Sequence, residues 1–332
     1  MQRDRRMAAR MLVVCAILAL SSGCGPGQRA ILEQGVELAG RVSADRLMAD
    51  VTWLADDARR GRLTGSPEED VVAAWLVQRF QALDLQEFAG AGLDSFYLPF
   101  EAPAVSRFSR AAPGTRAQAE NVIAVLPGTS RPESYVYVGA HYDHIGVSPS
   151  GQVYNGADDD ATGVAVVLEA ARILSTAATR PQETLVFVLF SGEEIGGLGS
   201  AALCRHLANR GLVDGSLLLN MEVLGARQGA GTYLDVWDEG VDATEPLVEA
   251  VQLAGEELGI PVQRQGVDPG SDALQLVACG VPAVTVDVAW SLQNHPHYHQ
   301  PSDDPQYIDA EGLRSAAQTA VAALWLLAND GR

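Results

Sequence analysis

The stretch Tyr135–Gly163 limits what this chain can fold into more than any other. It reads YVYVGAHYDHIG and then, past a short loop, VYNGADDDATG. The β-forming run Tyr135–Gly139 ends at His141-Tyr142-Asp143, and Gly156-Ala157 later steps into Asp158, Asp159 and Asp160. Val164, Val167, Leu168 and Ala171 then recur at helical spacing. An imidazole and a carboxylate cluster therefore sit at the mouth of a strand–loop–helix unit, where α/β proteins keep their chemistry.

The rest of the chain repeats that alternation. Residues 29–59 read as helical, and Arg60–Ser66 as a turn. Ser66 with Pro67 and Glu69 predicts a capping box opening a helix to about Leu83. Strands are expected at 96–101, 121–126, 184–190, 216–222 and 283–288, and helices at 161–175, 245–258 and 310–328. Thr184–Phe190 is apolar on both faces, as a central strand covered on both sides must be. The expected fold is α/β, a three-layer sandwich with a largely parallel, mixed central sheet flanked by helices.

Residues 1–24 combine four arginines, an apolar run from Met11 to Leu20 and a small-residue ending at Cys24. This is a signal peptide, too short to span a bilayer as a helix. Ser21-Ser22-Gly23-Cys24 resembles a bacterial lipobox, although Ser21 replaces the usual aliphatic residue. The expected organisation is a leader at 1–24 with lipidation at Cys24, a tether at 25–40 and one domain at 41–332. The protein is expected to be exported to the cell envelope, lipid-anchored there or otherwise periplasmic or secreted.

The formal charge of −19 becomes −22 once residues 1–23, with four arginines and one aspartate, are removed. So acidic a body argues against nucleic acid or anionic lipid surfaces as partners. All 23 basic residues are arginine, which excludes lysine nucleophiles and a Walker lysine. Cys204 and Cys279 are left after the leader; they could pair or remain buried thiols. No CxxC is present to make a thiolate zinc site.

The candidate ligands lie just beyond strand ends. His141 follows one strand and Asp159 sits in the loop after it. Glu193 and Glu194 follow TLVFVLFSG, Glu222 ends SLLLNME, and His299 lies in HPHYHQPSDD. Two histidines and four carboxylates on one rim are hard to explain as packing, because buried charges of one sign need a cation. Imidazole and carboxylate without thiolate suit zinc, then manganese or cobalt.

Taken together, HYD, GADDD, SGEE, NMEVLG and YHQPSDD resemble, in order and spacing, the motifs of the M28 family of co-catalytic dizinc aminopeptidases. GRLTGS at 61–66 resembles that family's N-terminal signature. The resemblance spans about residues 45–328. It implies two zinc ions bridged by Asp159, one completed by His141 and Glu222, the other by Glu194 and His299. Glu193 would be the general base on the attacking water, and Asp143 would orient His141. Peptide or protein N-termini are the implied substrates. Two departures stand out: Glu222 replaces the usual Asp, and Ser271-Asp272-Ala273 lacks the usual histidine.

Each neighbouring residue also has a plainer reading. Asp158 and Asp160 flank the bridging position, and Asp160 reads as a helix N-cap or solvated charge. His144, His295 and His297 read as hydrogen-bonding loop residues, and His206 as surface. Tyr298 either stabilises an oxyanion or packs. Two alternatives to a dizinc aminopeptidase stay open: a single-zinc enzyme resembling glutaminyl cyclases, and a non-catalytic receptor-like lipoprotein of the same fold. A serine hydrolase is disfavoured, since no GxSxG occurs.

Overall fold

Strand β3 (Arg131–His141) is the axis of the fold, and Tyr135–Ala140 within it is buried. It pairs in parallel with β4 (Glu183–Phe190) on one side and β5 (Ser216–Met221) on the other. β8 (Ala283–Val288) extends the parallel set beyond β5. The computed structural model describes residues 25–103, 108, 116–226, 233–238, 242–267 and 270–331. The leader and Cys24 lie outside the described residues.

The sheet has eight strands in the order β1-β2-β4-β3-β5-β8-β6-β7. β1 (Tyr97–Pro103) and β2 (Arg116–Leu126) add antiparallel to β4. β6 (Leu234–Trp237) runs antiparallel to β8, and β7 (Val262–Gln265) parallel to β6. The architecture is thus the expected α/β sandwich around a mixed sheet. β6 and β7 were not anticipated, and β2 begins several residues before the predicted strand.

Side-chain alternation sends β3, β4 and β5 into two apolar layers. Val136, Val138, Leu219, Met221, Val284 and Val286 face one layer. That layer is covered by α1 (Pro26–Ala39), α2 (Ala44–Leu54), α3 (Pro67–Gln81), α4 (Thr162–Ser175), α6 (Glu245–Leu258) and α8 (Ala310–Leu327). Tyr137, Val186, Val188 and Leu218 face the other, under α5 (Leu198–Arg210) and α7 (Asp272–Ala278). Cys204 of α5 and Cys279 just past α7 form a disulfide with a Cα separation of 5.9 Å, which settles the open pairing.

The segment 25–40, expected as a tether, is corrected by α1. Leu32, Gly35, Leu38 and Ala39 are buried on one face of this helix. Gly35 makes the close approach possible, because a Cβ there would stand 3.0 Å from the Ala322 carbonyl oxygen of α8. The helical reading of 29–59 resolves into α1 and α2, with Ser43 accepting from the Arg46 amide to start the second. The predicted box at Ser66 forms by half. Ser66 Oγ accepts from the Glu69 amide at 3.2 Å, but the Glu69 carboxylate turns to Gly65 and the Ser191 hydroxyl.

Candidate metal centre

The parallel strands β4, β3, β5 and β8 all point their C-terminal ends the same way, so the segments that leave them share one rim. On that rim the structure brings four of the expected side chains into contact. His141 Nε2 stands 3.1 Å from Asp159 Oδ1. His299 Nε2 stands 2.9 Å from Asp159 Oδ2 and 3.3 Å from Glu194 Oε2. Asp159 therefore lies between the two imidazoles, one on each carboxylate oxygen.

A fifth group joins them. His144 is fully buried, and its Nδ1 lies 2.6 Å from Glu194 Oε1. One donor atom each from His144, Asp159 and Glu194 fall within 4.8 Å of one another. The sequence reads His144 as a hydrogen-bonding loop residue; its neighbourhood depends on a turn the sequence pattern does not show. Gly156 makes room for it, with φ at +59° and no space for a Cβ beside the His144 ring.

The donor atoms pass a direct test for cation binding. His141 Nε2, both His144 ring nitrogens, Asp159 Oδ2 and Glu194 Oε1 are buried, and the close approaches among them within the cluster lack the geometry of directed hydrogen bonds. Such groups are costly unless a ligand satisfies them. Burial raises the Asp159 carboxyl, but the imidazoles of His141 and His299 outweigh it and hold it well below the usual range. For Glu194 burial likewise acts upward and is overcome, chiefly by the charge of His144, leaving a value of about 2. For His299 burial acts downward, and hydrogen bonding to Asp159 and Glu194 nevertheless lifts it to about 10. This is a centre short of positive charge.

Glu193 sits beside the cluster and its backbone N–H donates to Asp143 Oδ1 at 3.1 Å. Burial holds the Glu193 carboxyl well above its usual value, with Asp272, Glu194 and Asp143 adding to the effect against the pull of His141. Asp143 Oδ2 accepts from the Thr64 hydroxyl at 2.7 Å. The atom nearest His141 Nδ1 is the Asp143 backbone oxygen at 3.1 Å; the carboxylate is 3.7 Å away. Asp143 thus touches His141 mainly through its main chain, and its carboxylate ties Thr64 to Glu193. Glu222 lies on the same rim, with Oε2 accepting from Asn220 at 3.0 Å.

The remaining candidates separate cleanly. Asp160 accepts from the Gly163 amide at 3.0 Å in the manner of an N-cap, and also from the amides of Val223 and His141, so it is buried rather than solvated. Asp158 pairs with His295 Nδ1 at 2.5 Å, and the other ring nitrogen of His295 meets the Val288 carbonyl. His297 bonds Ser302 and stacks on Tyr307. His206, half-buried, meets the Ala91 carbonyl.

Two supports carried no assigned role in the sequence reading. Arg62, fully buried, donates to the carbonyls of Leu54, Tyr142, Asn155 and Gly156 at 2.6–2.9 Å. It clamps the loop after β3 to the segment leading into Asp158–Asp160. Asp303 accepts from the amides of Asp158 and Asp159, fixing that turn from the C-terminal side. Both residues belong to motifs the sequence made visible, GRLTGS and YHQPSDD.

A cavity of about 260 Å³ opens beside the cluster, lined by Glu222, Val223, Trp237, Gly270, Thr285, Asp287, Trp290 and Tyr298. Tyr298 precedes His299 and packs edge-on against Trp290 at 5.0 Å. Burial and the charges of Asp159, Glu222, Glu194 and Glu193 push its phenol upward, so it keeps its proton as a donor.

Similarity to known proteins agrees with this arrangement. Residues 121–324 match the profile of Peptidase family M28. The chain is 26% identical to Aminopeptidase YwaD of Bacillus subtilis over 64% of its own length and 45% of that protein. It is 27% identical to a probable leucine aminopeptidase of Arthroderma otae, over 86% of this chain and 73% of the relative. It spans less than half the length of the first curated relatives it matches. A zinc aminopeptidase from Bacillus subtilis shares the fold with a TM-score of 0.71 at 16% identity, covering 88% of this chain and 96% of that one. The glutaminyl cyclase of Porphyromonas gingivalis also shares it, with a TM-score of 0.67 at 22% identity over 85% and 98% of the two chains. With the profile covering more than half of its length, the chain belongs to peptidase family M28.

Proposed function

We propose that this protein is a zinc aminopeptidase that removes N-terminal residues from peptides using two metal ions. The observation that carries the reading is the meeting of His141, Asp159, Glu194 and His299 on one rim, with Asp159 between the two imidazoles. Asp159, with one oxygen toward each imidazole, would bridge two ions. His141 and Glu222 would hold one ion and Glu194 and His299 the other, with His144 against Glu194. When bound, zinc supplies Lewis acidity, polarising the scissile carbonyl and acidifying water.

The protein's own groups do the rest. Glu193 takes the proton from the attacking water and delivers it to the leaving amine. Asp143 fixes Glu193 through its backbone amide and fixes His141 through its carbonyl, so base and ligand move as one unit. Tyr298, protonated and facing the cavity, donates a hydrogen bond to the carbonyl oxygen as negative charge develops.

Glu193→Gln tests this directly. Release of aminoacyl-nitroanilides is expected to fall by roughly 10²–10⁴-fold with metal content unchanged; retained activity would remove Glu193 as the base. A second reading has one observation behind it: Glu222 Oε2 is engaged by Asn220, which draws it toward its own strand. In that reading one zinc is held by Asp159, Glu194 and His299, and N-terminal glutamine is cyclised. Turnover of glutaminyl peptides to pyroglutamyl products without hydrolysis would favour it.

The leader supports a further proposal, that the protein is exported and anchored through a lipid on Cys24. Radiolabelled palmitate incorporated into the wild type but not into Cys24→Ala is the expected result. Membrane association that survives this substitution would rule the anchor out.

A further inference from the structure

The cavity beside the metal centre has an uneven chemistry that the hydrolytic reading does not use. Its walls are aromatic: Trp237, Trp290 and Tyr298. On its floor lies Asp287, 7% exposed. β8 reads Ala-Val-Thr-Val-Asp-Val, and its valines face the helical layer around α4 and α8. Alternation sends Thr285 and Asp287 to the opposite face, toward α7 and the cavity. Antiparallel pairing with β6 sets Asp287 opposite Asp235 and Thr285 opposite Trp237.

The polar groups around Asp287 are committed unequally. Asp235 is satisfied, accepting from Gln265 at 2.6 Å and from the Trp290 amide at 3.2 Å. Thr285 shares a hydrogen bond with Ser271 at 2.8 Å. Asp287 Oδ2 accepts from Trp237 Nε1 at 2.7 Å. Asp287 Oδ1, by contrast, is buried and has no partner among the described residues. Among the described residues no basic side chain lines the cavity, and burial pushes the Asp287 carboxyl up to about 8. Without a cationic donor this buried carboxyl keeps its proton near neutral pH; a cation placed at Oδ1 would favour the carboxylate and satisfy its open acceptor.

Resting on the aminopeptidase reading, we propose that this cavity is the pocket for the substrate's N-terminal side chain and that Asp287 selects a basic one, lysine or arginine. The aromatic walls take the aliphatic stem and face the cationic head, and Asp287 Oδ1 accepts its hydrogen bond. At about 260 Å³ the cavity is smaller than the ~300–1,000 Å³ of sites for drug-sized ligands, so it fits one side chain. The net charge of −19 draws cationic peptides toward the same rim.

The test compares lysyl-, arginyl-, leucyl- and norleucyl-p-nitroanilides on zinc-loaded protein, norleucine being lysine's shape without its charge. Values of kcat/KM at least tenfold higher for lysyl and arginyl than for norleucyl are expected, and Asp287→Asn should lower the lysyl-to-norleucyl ratio at least tenfold. Equal or better cleavage of norleucyl substrate would overturn the proposal. So would a uniform loss across all four in Asp287→Asn, which would place this carboxylate at the α-amine instead. If none of the four is hydrolysed, the aminopeptidase reading fails, and calorimetry judges the pocket by itself. Lysinamide must then bind the wild type at least tenfold more tightly than norleucinamide and lose that margin in Asp287→Asn; equal affinities would overturn the proposal.

Discussion

Arg62 shows how much of this site rests on single side chains that touch no substrate. Its guanidinium donates to four backbone carbonyls, those of Tyr142, Asn155 and Gly156 in the loop after β3 and that of Leu54 at the end of α2. Arg62→Ala would remove this donor from all four, Gly156 keeping only the Ala161 amide, so a loss of about 3–5 kcal/mol in folding stability is expected, as for other broken buried charged networks. Denaturant unfolding of the metal-free protein measures it; a change within about 0.5 kcal/mol, as at ordinary surface positions, would show the clamp to be dispensable. Asp287 gives a prediction in pH. Burial raises its carboxyl to about 8, with Asp235 adding to the shift and the Trp237 indole and His295 opposing it. Between the ordinary carboxylate value and about 8 the folded protein holds a proton that the unfolded chain has released. The stability this contributes is therefore complete at low pH and is lost as pH rises toward 8, at a limiting slope of about 1.36 kcal/mol per pH unit. Asp287→Asn keeps the acceptor for Trp237 and removes the titration. Its Tm should fall less steeply from pH 5 to 8 than that of the wild type; parallel curves would contradict the assignment.

Elements differ in how plainly the sequence announced them. β3, β4 and β5 are buried through most of their length, and such strands show as uninterrupted apolar runs. β7 reads VQRQ, with none of its four residues fully buried at the sheet edge, so it carries no hydrophobic signal. α7 has seven residues, too few for a helical period to stand out. α1 was assigned to a tether because Gly25-Pro26-Gly27 reads as a linker, yet Gly35 and its buried neighbours dock the helix on α8. Within the site, His141, Asp159, Glu194 and His299 were legible because each lies at a strand end or in the loop that leaves one, on one rim. His144 and Thr64 were not, since what they touch is decided by loops that only the tertiary fold brings together. At this scale the disulfide invites its own test. It joins α5 to the end of α7 across a sequence separation of 75, for which chain entropy gives about 4 kcal/mol. The Cys204→Ser, Cys279→Ser double variant should lose stability of that order and become insensitive to reductant; a Tm equal to that of the oxidised wild type would show the crosslink to be idle.

The whole molecule is a sheet whose parallel core gathers the proposed ligands from segments that follow four strands, so metal binding at this rim would be linked to folding. Zinc that binds only the assembled rim stabilises the native state by mass action. Chelation should lower Tm, and added zinc should restore it together with hydrolysis. The number of metal ions separates the two proposed readings of the site. Metal content of the purified protein, wild type beside His141→Ala, is the measurement to make. Two zinc ions per chain in the wild type and one in the variant are expected, because His141 serves one ion while Asp159, Glu194 and His299 still hold the other. One zinc in both proteins would contradict the two-metal assignment and leave single-zinc chemistry as the function of the site.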